Sequence, residues 1–439
     1  MSNLYSFIMK YRELIKKILP ITLLRRCKDT VINWKISQYQ AKAIKSEQYG
    51  RQPFGVNLIG DIRIEIGLGQ SMRLIANVLN DLTQDFCILN LPFNVDVRRN
   101  DHSWDHKISE VPVFGINLLH INPLEMGLSY LGLGKTVLRN RYNIGFWLWE
   151  LEEAPEETAI ALKFVDEIWT PSEFTSSCFR KVTDKPVYTI PYHVTAEADS
   201  KYDRAHFGLP EDQFLYLLLF DFNSTLLRKN PQAAIQAFRN AFSPEQQDVG
   251  IVIKVNNPTP ECMETLQRHL EGYRNVYYIT KTLDKLEVNS LIANVDVFVS
   301  LHRAEGFGLV MAEAMLLKTA CIATNWSSNT EFMNSDTACM VSYTMKKIDD
   351  GEGSYPPGAI WADPSVDDAT MYMKKLKEDP VFYQGLVDRA YNHASEVLGK
   401  EHISAMMEAR LTTINEALLS DDPDKLIIHP NTEREYTHV

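Results

Sequence analysis

The sequence predicts an α/β protein made of two successive doubly wound halves, with an extra helical segment at the N-terminus. Three observations predict it. From residue 54 onward, apolar runs of strand length alternate with stretches of helical period, the pattern of βαβ units and mostly parallel sheets. The alternation breaks once, at Pro186, Pro191 and the polar stretch 195–204, and then restarts. In each half a glycine-rich turn lies between a strand and a helix. Ligands of open α/β sheets bind beyond the carboxyl ends of the strands, so two Rossmann-like domains should aim their loops into a shared cleft. The expected division is a basic segment over 1–48, a first Rossmann-like domain over 49–200, a second over 201–400, and a C-terminal helix with a polar tail over 401–439.

The first segment holds ten Lys/Arg against three Asp/Glu, a local charge of +7 in a chain whose net charge is −12. Leu4, Phe7, Ile8, Tyr11, Leu14, Ile15 and Ile18 recur at helical spacing, with Lys10, Arg12, Lys16 and Lys17 opposite and Pro20 as a stop. Such a helix packs on its own domain or a twin subunit, or lies on an anionic membrane surface through residues 1–24. In the first half, strands are expected at 54–59, 86–91, 113–120, 142–148 and 167–169. Helices are expected at 69–80 and at 172–180, the second capped by Ser172. In the second half, strands are expected at 214–221, 249–255, 276–279, 295–300 and 320–324. A helix over 231–242 has Asn230 at its cap, and helices run from about 363 to 419.

Composition excludes several classes. The 439 residues are 45% hydrophobic, which is globular, and a length prior of about 150 residues per domain gives two or three domains. No stretch approaches the roughly 18 apolar residues of a membrane span, and the charged N-terminus does not read as a signal peptide. Cys27, Cys87, Cys178, Cys262, Cys321 and Cys339 are scattered without metal-ligand spacing, as expected of reduced thiols in the cytoplasm. An acidic body does not attract nucleic acid.

Two motifs carry chemistry. The turn from Gly60 to Ser71 includes Gly67 and Gly69 and precedes a helix N-terminus, where backbone amides suit a phosphate. It lacks the third glycine of the dinucleotide fingerprint, and a simple tight turn also fits. The second motif runs from Ser300 to Met315. Glu305 and Glu313 stand eight positions apart around Gly306, Phe307, Gly308 and Leu309, between a strand and a helix starting near Gly308. Free amides at 307–309 suit a diphosphate, whereas carboxylates repel one, so the two glutamates suit neutral diols, one on a sugar ring and one on a ribose.

Here the chain resembles the retaining glycosyltransferases of the GT-B fold, whose signature is Glu, seven residues, Glu: the stretch HRAEGFGLVMAEAM carries it. The stretches NLIGDIRIEIGLGQS, LLHINPLE, YNIGFWLWELEEAP, EIWTPSEFTSS, LRKNPQAAIQAF and ATNWSSNTEFM resemble a bacterial branch that builds surface polysaccharide. The likeness spans most of residues 54–400. It implies that Glu305 meets the donor sugar, Glu313 the ribose, and Gly306 to Leu309 the sugar and diphosphate. Lys229 matches the lysine that pairs with the diphosphate. The family arginine about five residues earlier is replaced by Ser224, and Arg228 is the obvious substitute. Gly67 and Gly69 would close over the diphosphate from the first domain. His120 matches a histidine near the reacting sugar, although a satisfied core histidine fits as well.

Lys254, at a strand end, is a further donor-binding candidate. Phe146, Trp147 and Trp149 fit the core better than an acceptor platform, and Glu150 fits an acceptor contact or a helix cap. His193 fits a structural role at the hinge, and Asn325, Trp326 and Ser327 fit the nucleotide pocket. The resemblance implies no metal and no cofactor: lysine and helix dipoles stabilise the leaving diphosphate. The expected function is retaining, metal-independent transfer of a sugar from a nucleotide-sugar donor to a glycan or lipid-linked acceptor in cell-envelope polysaccharide synthesis. The resemblance suggests GDP-mannose as donor, in the cytoplasm or peripherally at the inner face of the membrane. The rival readings are a nucleotide-sugar epimerase on the same fold and a non-catalytic donor-binding scaffold subunit. A dinucleotide oxidoreductase is weaker, since both glycine loops lack the fingerprint.

Overall fold

The computed structural model describes residues 52–92, 97–222 and 225–420. The basic helix read over 1–24, and Ser224, lie outside the described residues.

The first sheet contains β1 (Val56–Gly60), β2 (Phe86–Asn90), β3 (Ile116–Leu119), β4 (Tyr142–Phe146), β5 (Glu167–Thr170) and β6 (Val187–Thr189). The second contains β7 (Phe214–Asp221), β8 (Val249–Asn256), β9 (Val276–Ile279), β10 (Val297–Ser300), β11 (Ala320–Thr324) and β12 (Cys339–Val341). Strand order is β2-β1-β3-β4-β5-β6 in one and β12-β11-β10-β7-β8-β9 in the other, with every pairing parallel. The continuous apolar runs follow from this, because helices cover both faces of a parallel sheet. A small antiparallel pair, β13 (Tyr343–Lys347) and β14 (Ile360–Pro364), follows the second sheet.

The two-half α/β reading matches this architecture, with corrected ends. The first strand starts at Val56, not 54, and the third at Ile116, not 113. The fourth ends at Phe146, so Trp147, Trp149 and Glu150 lie in the following loop rather than along the strand. The first helix spans Gly67–Asp81, which makes Gly67 part of the helix rather than of the turn before it. Asn230 caps the helix Pro231–Ala241 only by its left-handed backbone (φ 50°), with no side-chain capping bond. Its carboxamide instead donates to the Leu301 carbonyl at 3.1 Å. Ser172 caps as expected, its Oγ accepting from the Thr175 amide.

Two polar features organise the core. Asn57, Asn117 and Asn143 sit in register on β1, β3 and β4 and bond in series at 2.9 and 2.8 Å. Glu167 on β5 is fully buried and accepts from Tyr142, Trp169 and Arg410. Arg410 belongs to the helix Lys400–Ser420, which therefore returns from the second half to pack on the first. Ile403, Met407, Leu411 and Ile414 of that helix join a core cluster that runs from the first sheet into the second. A buried carboxylate is tolerable only when paired, and the returning arginine supplies the charge.

Candidate active site

Each sheet reverses strand order at one place: between β1 and β3 in the first, and between β7 and β10 in the second. At such a switch point the neighbouring loops leave a crevice at the carboxyl ends. The loops at these two points hold the motifs singled out from the sequence.

In the second sheet the loops after β7 and β10 are stitched together. The Arg303 amide donates to the Arg228 carbonyl at 2.7 Å, and Arg228 Nη1 donates to the Ala304 carbonyl at 2.9 Å. This brings Arg228, Lys229 and Glu305 into one cluster. Lys229 Nζ lies 2.5 Å and Arg228 Nη1 3.0 Å from Glu305 Oε1. Burial pushes the Glu305 carboxyl upward, but Lys229 and Arg228 outweigh it and hold the pKa at about 2. Burial likewise opposes the Arg228 charge, and Glu305 overcomes it, so the guanidinium's pKa is raised. Glu150 approaches Arg228 at 4.0 Å, so its partner is a cation of the other domain rather than a helix end.

The Glu305 amide donates to Ser327 Oγ at 2.9 Å. Ser327 adopts φ 70°, ψ −159°, a backbone region natural to glycine, and such strain persists where surrounding contacts over-determine it. His302, fully buried near this cluster, is pushed down to about 4 first by burial and stays neutral at ordinary pH.

Gly308 has φ 97°, and a Cβ there would stand 2.5 Å from the Met311 methyl. It caps the helix Leu309–Leu316, and the amides of Phe307, Gly308 and Leu309 have no acceptor among the described residues. Three free donors at a helix N-terminus form an anion cradle. The Phe307 side chain is buried between Tyr192 and Phe332. Gly306 sits against the other domain: its carbonyl accepts from Ser172 and Thr175, and a Cβ would lie 3.4 Å from the Trp149 carbonyl. Glu313, 2% exposed, pairs with Lys285 Nζ at 2.5 Å.

In the first sheet the switch point is uncharged at its centre. His120 Nε2 bonds Ser71 Oγ at 2.8 Å, and its ring stacks on Phe146 at 5.4 Å. Burial lowers its pKa to about 4, so the imidazole is neutral. Gly69 is required by packing, since a Cβ would meet the Ile64 carbonyl at 2.0 Å. Gly67 is open to solvent. Ion pairs fix the surrounding loop: Arg99–Asp61 at 2.7 Å, Arg98–Glu65 at 2.8 Å and Arg63–Asp105 at 2.8 Å.

Lys254 does not join the cluster. Its Nζ donates to the Val255 carbonyl and to Asn256 Oδ1 at its own strand end, and burial lowers its pKa to about 8. His193 bonds the Leu398 carbonyl through Nδ1, and Phe146, Trp147 and Trp149 are buried in the core. Sequence reasoning missed Lys285, Ser327's hold on Glu305, and His302. The signal for Lys285 was available: Asp284 and Glu287 form a capping box that starts a helix at that lysine.

Residues 202–393 match the family Glycosyl transferases group 1. No curated protein sequence matches the chain. Among solved structures, HepE of Anabaena, seen with UDP-glucose, is 13% identical, with a TM-score of 0.61 over 82% of this chain and 100% of that one. Sucrose-phosphate synthase of Thermosynechococcus elongatus is 12% identical, with a TM-score of 0.59 over 83% and 100%. WaaG, a glycosyltransferase involved in lipopolysaccharide biosynthesis, is 12% identical, with a TM-score of 0.52 over 77% and 95%. At these identities the likeness is one of fold, and it is the GT-B arrangement of two parallel-sheet α/β domains.

Proposed function

We propose that the chain is a retaining, metal-independent glycosyltransferase that moves a sugar from a nucleotide-sugar donor to a glycan or lipid-linked acceptor in cell-envelope polysaccharide synthesis. The observation that carries the reading is the ionised Glu305, held by Lys229 and Arg228 at the second domain's switch point. It lies within the stretch that matches Glycosyl transferases group 1. HepE's complex with UDP-glucose and WaaG's role in lipopolysaccharide biosynthesis support a nucleotide-sugar donor and a glycan acceptor.

In this reading the free amides at 307–309 and the cations Arg228 and Lys229 receive the departing diphosphate, where negative charge grows in the transition state. Glu305 meets the sugar hydroxyls and Glu313 the ribose diol. His120, neutral and bonded to Ser71, sits by the reacting sugar as a hydrogen-bonding group rather than a cation. A double-displacement route needs a carboxylate nucleophile at the anomeric carbon. Glu305 is committed to two cations, which supports front-face substitution with the leaving oxygen taking the acceptor proton.

The test is transfer from UDP-, GDP- and dTDP-sugars to envelope glycans, with and without a chelator. The expected product keeps the donor's anomeric configuration by NMR, at a rate the chelator does not change. An inverted product would overturn retention, and loss of rate with chelator would overturn metal independence. Membrane recruitment by residues 1–24 is a separate element of the proposal. Deletion of residues 1–48 should abolish pelleting with anionic vesicles, and equal pelleting would overturn it.

A further inference from the structure

Beside the Glu305 loop, between the two domains, lies a cavity of about 660 Å³, within the usual range for ligand sites of about 300–1,000 Å³. The first domain contributes Glu152, Phe174 and Ser177 to its wall, and the second Asn325, Trp326 and Tyr343. Ser327, which holds the Glu305 amide, forms part of its wall.

Its chemistry is selective. Trp326 stands between Phe174 and Tyr343, with ring centroids 5.6 and 5.2 Å away, so three half-buried rings form a row. Trp326 Nε1, the Asn325 carboxamide and the Glu152 carboxylate have no side-chain hydrogen bond among the described residues. The charges lean negative: Glu173 pairs with Arg180 and Lys181 with Glu153, and Glu152 and Glu331 have no ion pair among the described residues. Glu331 is bound to the amides of Glu173 and Phe174 at 2.8 Å, across the domain boundary. Acidic walls disfavour phosphates and uronic acids. An aromatic face attracts the polarised C–H face of a pyranose ring, while free donors and acceptors take its hydroxyls.

We infer that this cavity is a glycan subsite that binds an uncharged stretch of the acceptor chain, separate from the donor crevice. The inference rests on the glycosyltransferase reading for its role, but not for binding itself. The subsite sets acceptor class: neutral glycans enter, and polyanionic ones are turned away.

The test titrates the full chain with mannotriose, maltotriose, cellotriose and trigalacturonate, followed by saturation-transfer NMR. At least one neutral trisaccharide should bind saturably, and trigalacturonate should not. Trp326→Ala should weaken that binding about tenfold, the scale of a lost aromatic contact. Ser177→Trp, on the exposed rim, should block it while leaving the melting temperature and nucleoside diphosphate affinity unchanged. No saturation by any neutral trisaccharide at tens of millimolar, or unchanged binding by both variants, would overturn the inference. Saccharide binding without turnover of any nucleotide sugar would instead sink the glycosyltransferase reading and leave the subsite standing.

Discussion

The two halves repeat one topology, yet their switch points are built from opposite materials. In the first, a neutral His120 bonds Ser71 of the first helix, and Asp61 and Arg63 are paired off in the surrounding loop. In the second, Arg228, Lys229 and Glu305 are packed together at the crevice itself, with His302 kept neutral nearby. A fold that supplies two equivalent crevices can give the work of charge to one and of uncharged contact to the other. On the proposed reading, the charged crevice handles the diphosphate and the sugar hydroxyls, and the neutral one offers His120 beside the reacting sugar.

The largest expected effect breaks the charged crevice. Glu305→Gln leaves Arg228, which is 8% exposed, without its countercharge. Turnover should fall about a hundredfold or more, the scale of losing one preorganised polar contact. Stability should fall too. A carboxyl held at about 2 instead of 4.5 favours folding above pH 4.5, and that contribution is lost as pH falls from 4.5 through 2. It amounts to about 3 kcal/mol. Urea melts at pH 7 and pH 3 should therefore converge for wild type and Glu305→Gln as pH drops. Curves that stay parallel would show that Glu305 is not the titrating group.

Much of this contrast was legible in the sequence, and the reasons are local. Alternating strand and helix periods gave both sheets, because parallel strands are apolar throughout. The Glu305–Glu313 spacing could be read because both residues lie in one continuous loop and helix. Arg228's contact with Glu305 was open only as a substitution for a missing family arginine, since it depends on how two loops 76 residues apart are stitched. The asparagine series and the Arg410–Glu167 pair were hidden for the same reason. A polar residue inside a strand looks like a strand edge until its partners, 60 or 243 residues away, are in place.

The next effect tests the neutral crevice. His120 titrates at about 4 when folded, against 6.5 when exposed, because burial penalises its charged form. Its neutral form contributes stability above pH 6.5, and this is lost as pH falls from 6.5 through 4. The size is about 3 kcal/mol. His120→Gln should flatten that part of the stability–pH curve, leaving the share of His302, which titrates in the same window, and the opposing share of Asp166, whose carboxyl burial raises to about 6. An imidazolium resonance with a pKa near 6.5 by NMR would put a charge in the neutral crevice and end the contrast.

A smaller effect divides the charged half internally. Glu313 is buried against one lysine, Lys285, that is partly exposed, whereas Glu305 is held by two cations. Glu313→Gln should weaken nucleoside diphosphate about tenfold, given charge-assisted hydrogen bonds of about 1.5–3 kcal/mol. Glu305→Gln should leave that affinity nearly intact, because nucleoside diphosphate lacks the transferred donor sugar that Glu305 is assigned to meet. Equal losses in calorimetry, with folding verified, would mean that the two glutamates do not divide sugar from ribose.

The smallest effect concerns how Glu305 is aimed rather than how it is charged. Ser327 does two things at once: it accepts the Glu305 amide at 2.9 Å and holds a backbone of φ 70°. Two substitutions separate them. Ser327→Ala removes the hydrogen bond and keeps the strain, so stability should drop by about 1 kcal/mol. Ser327→Gly removes the bond but relieves a conformation that costs a non-glycine residue about 1–3 kcal/mol, so stability should hold or rise. Turnover should fall severalfold in both, since each frees the Glu305 backbone, while nucleoside diphosphate affinity at the Glu313 end stays put. If Ser327→Gly gained stability and also kept full turnover, the strained serine would be an accident of packing, and the aim of Glu305 would rest on Arg228 and Lys229 alone.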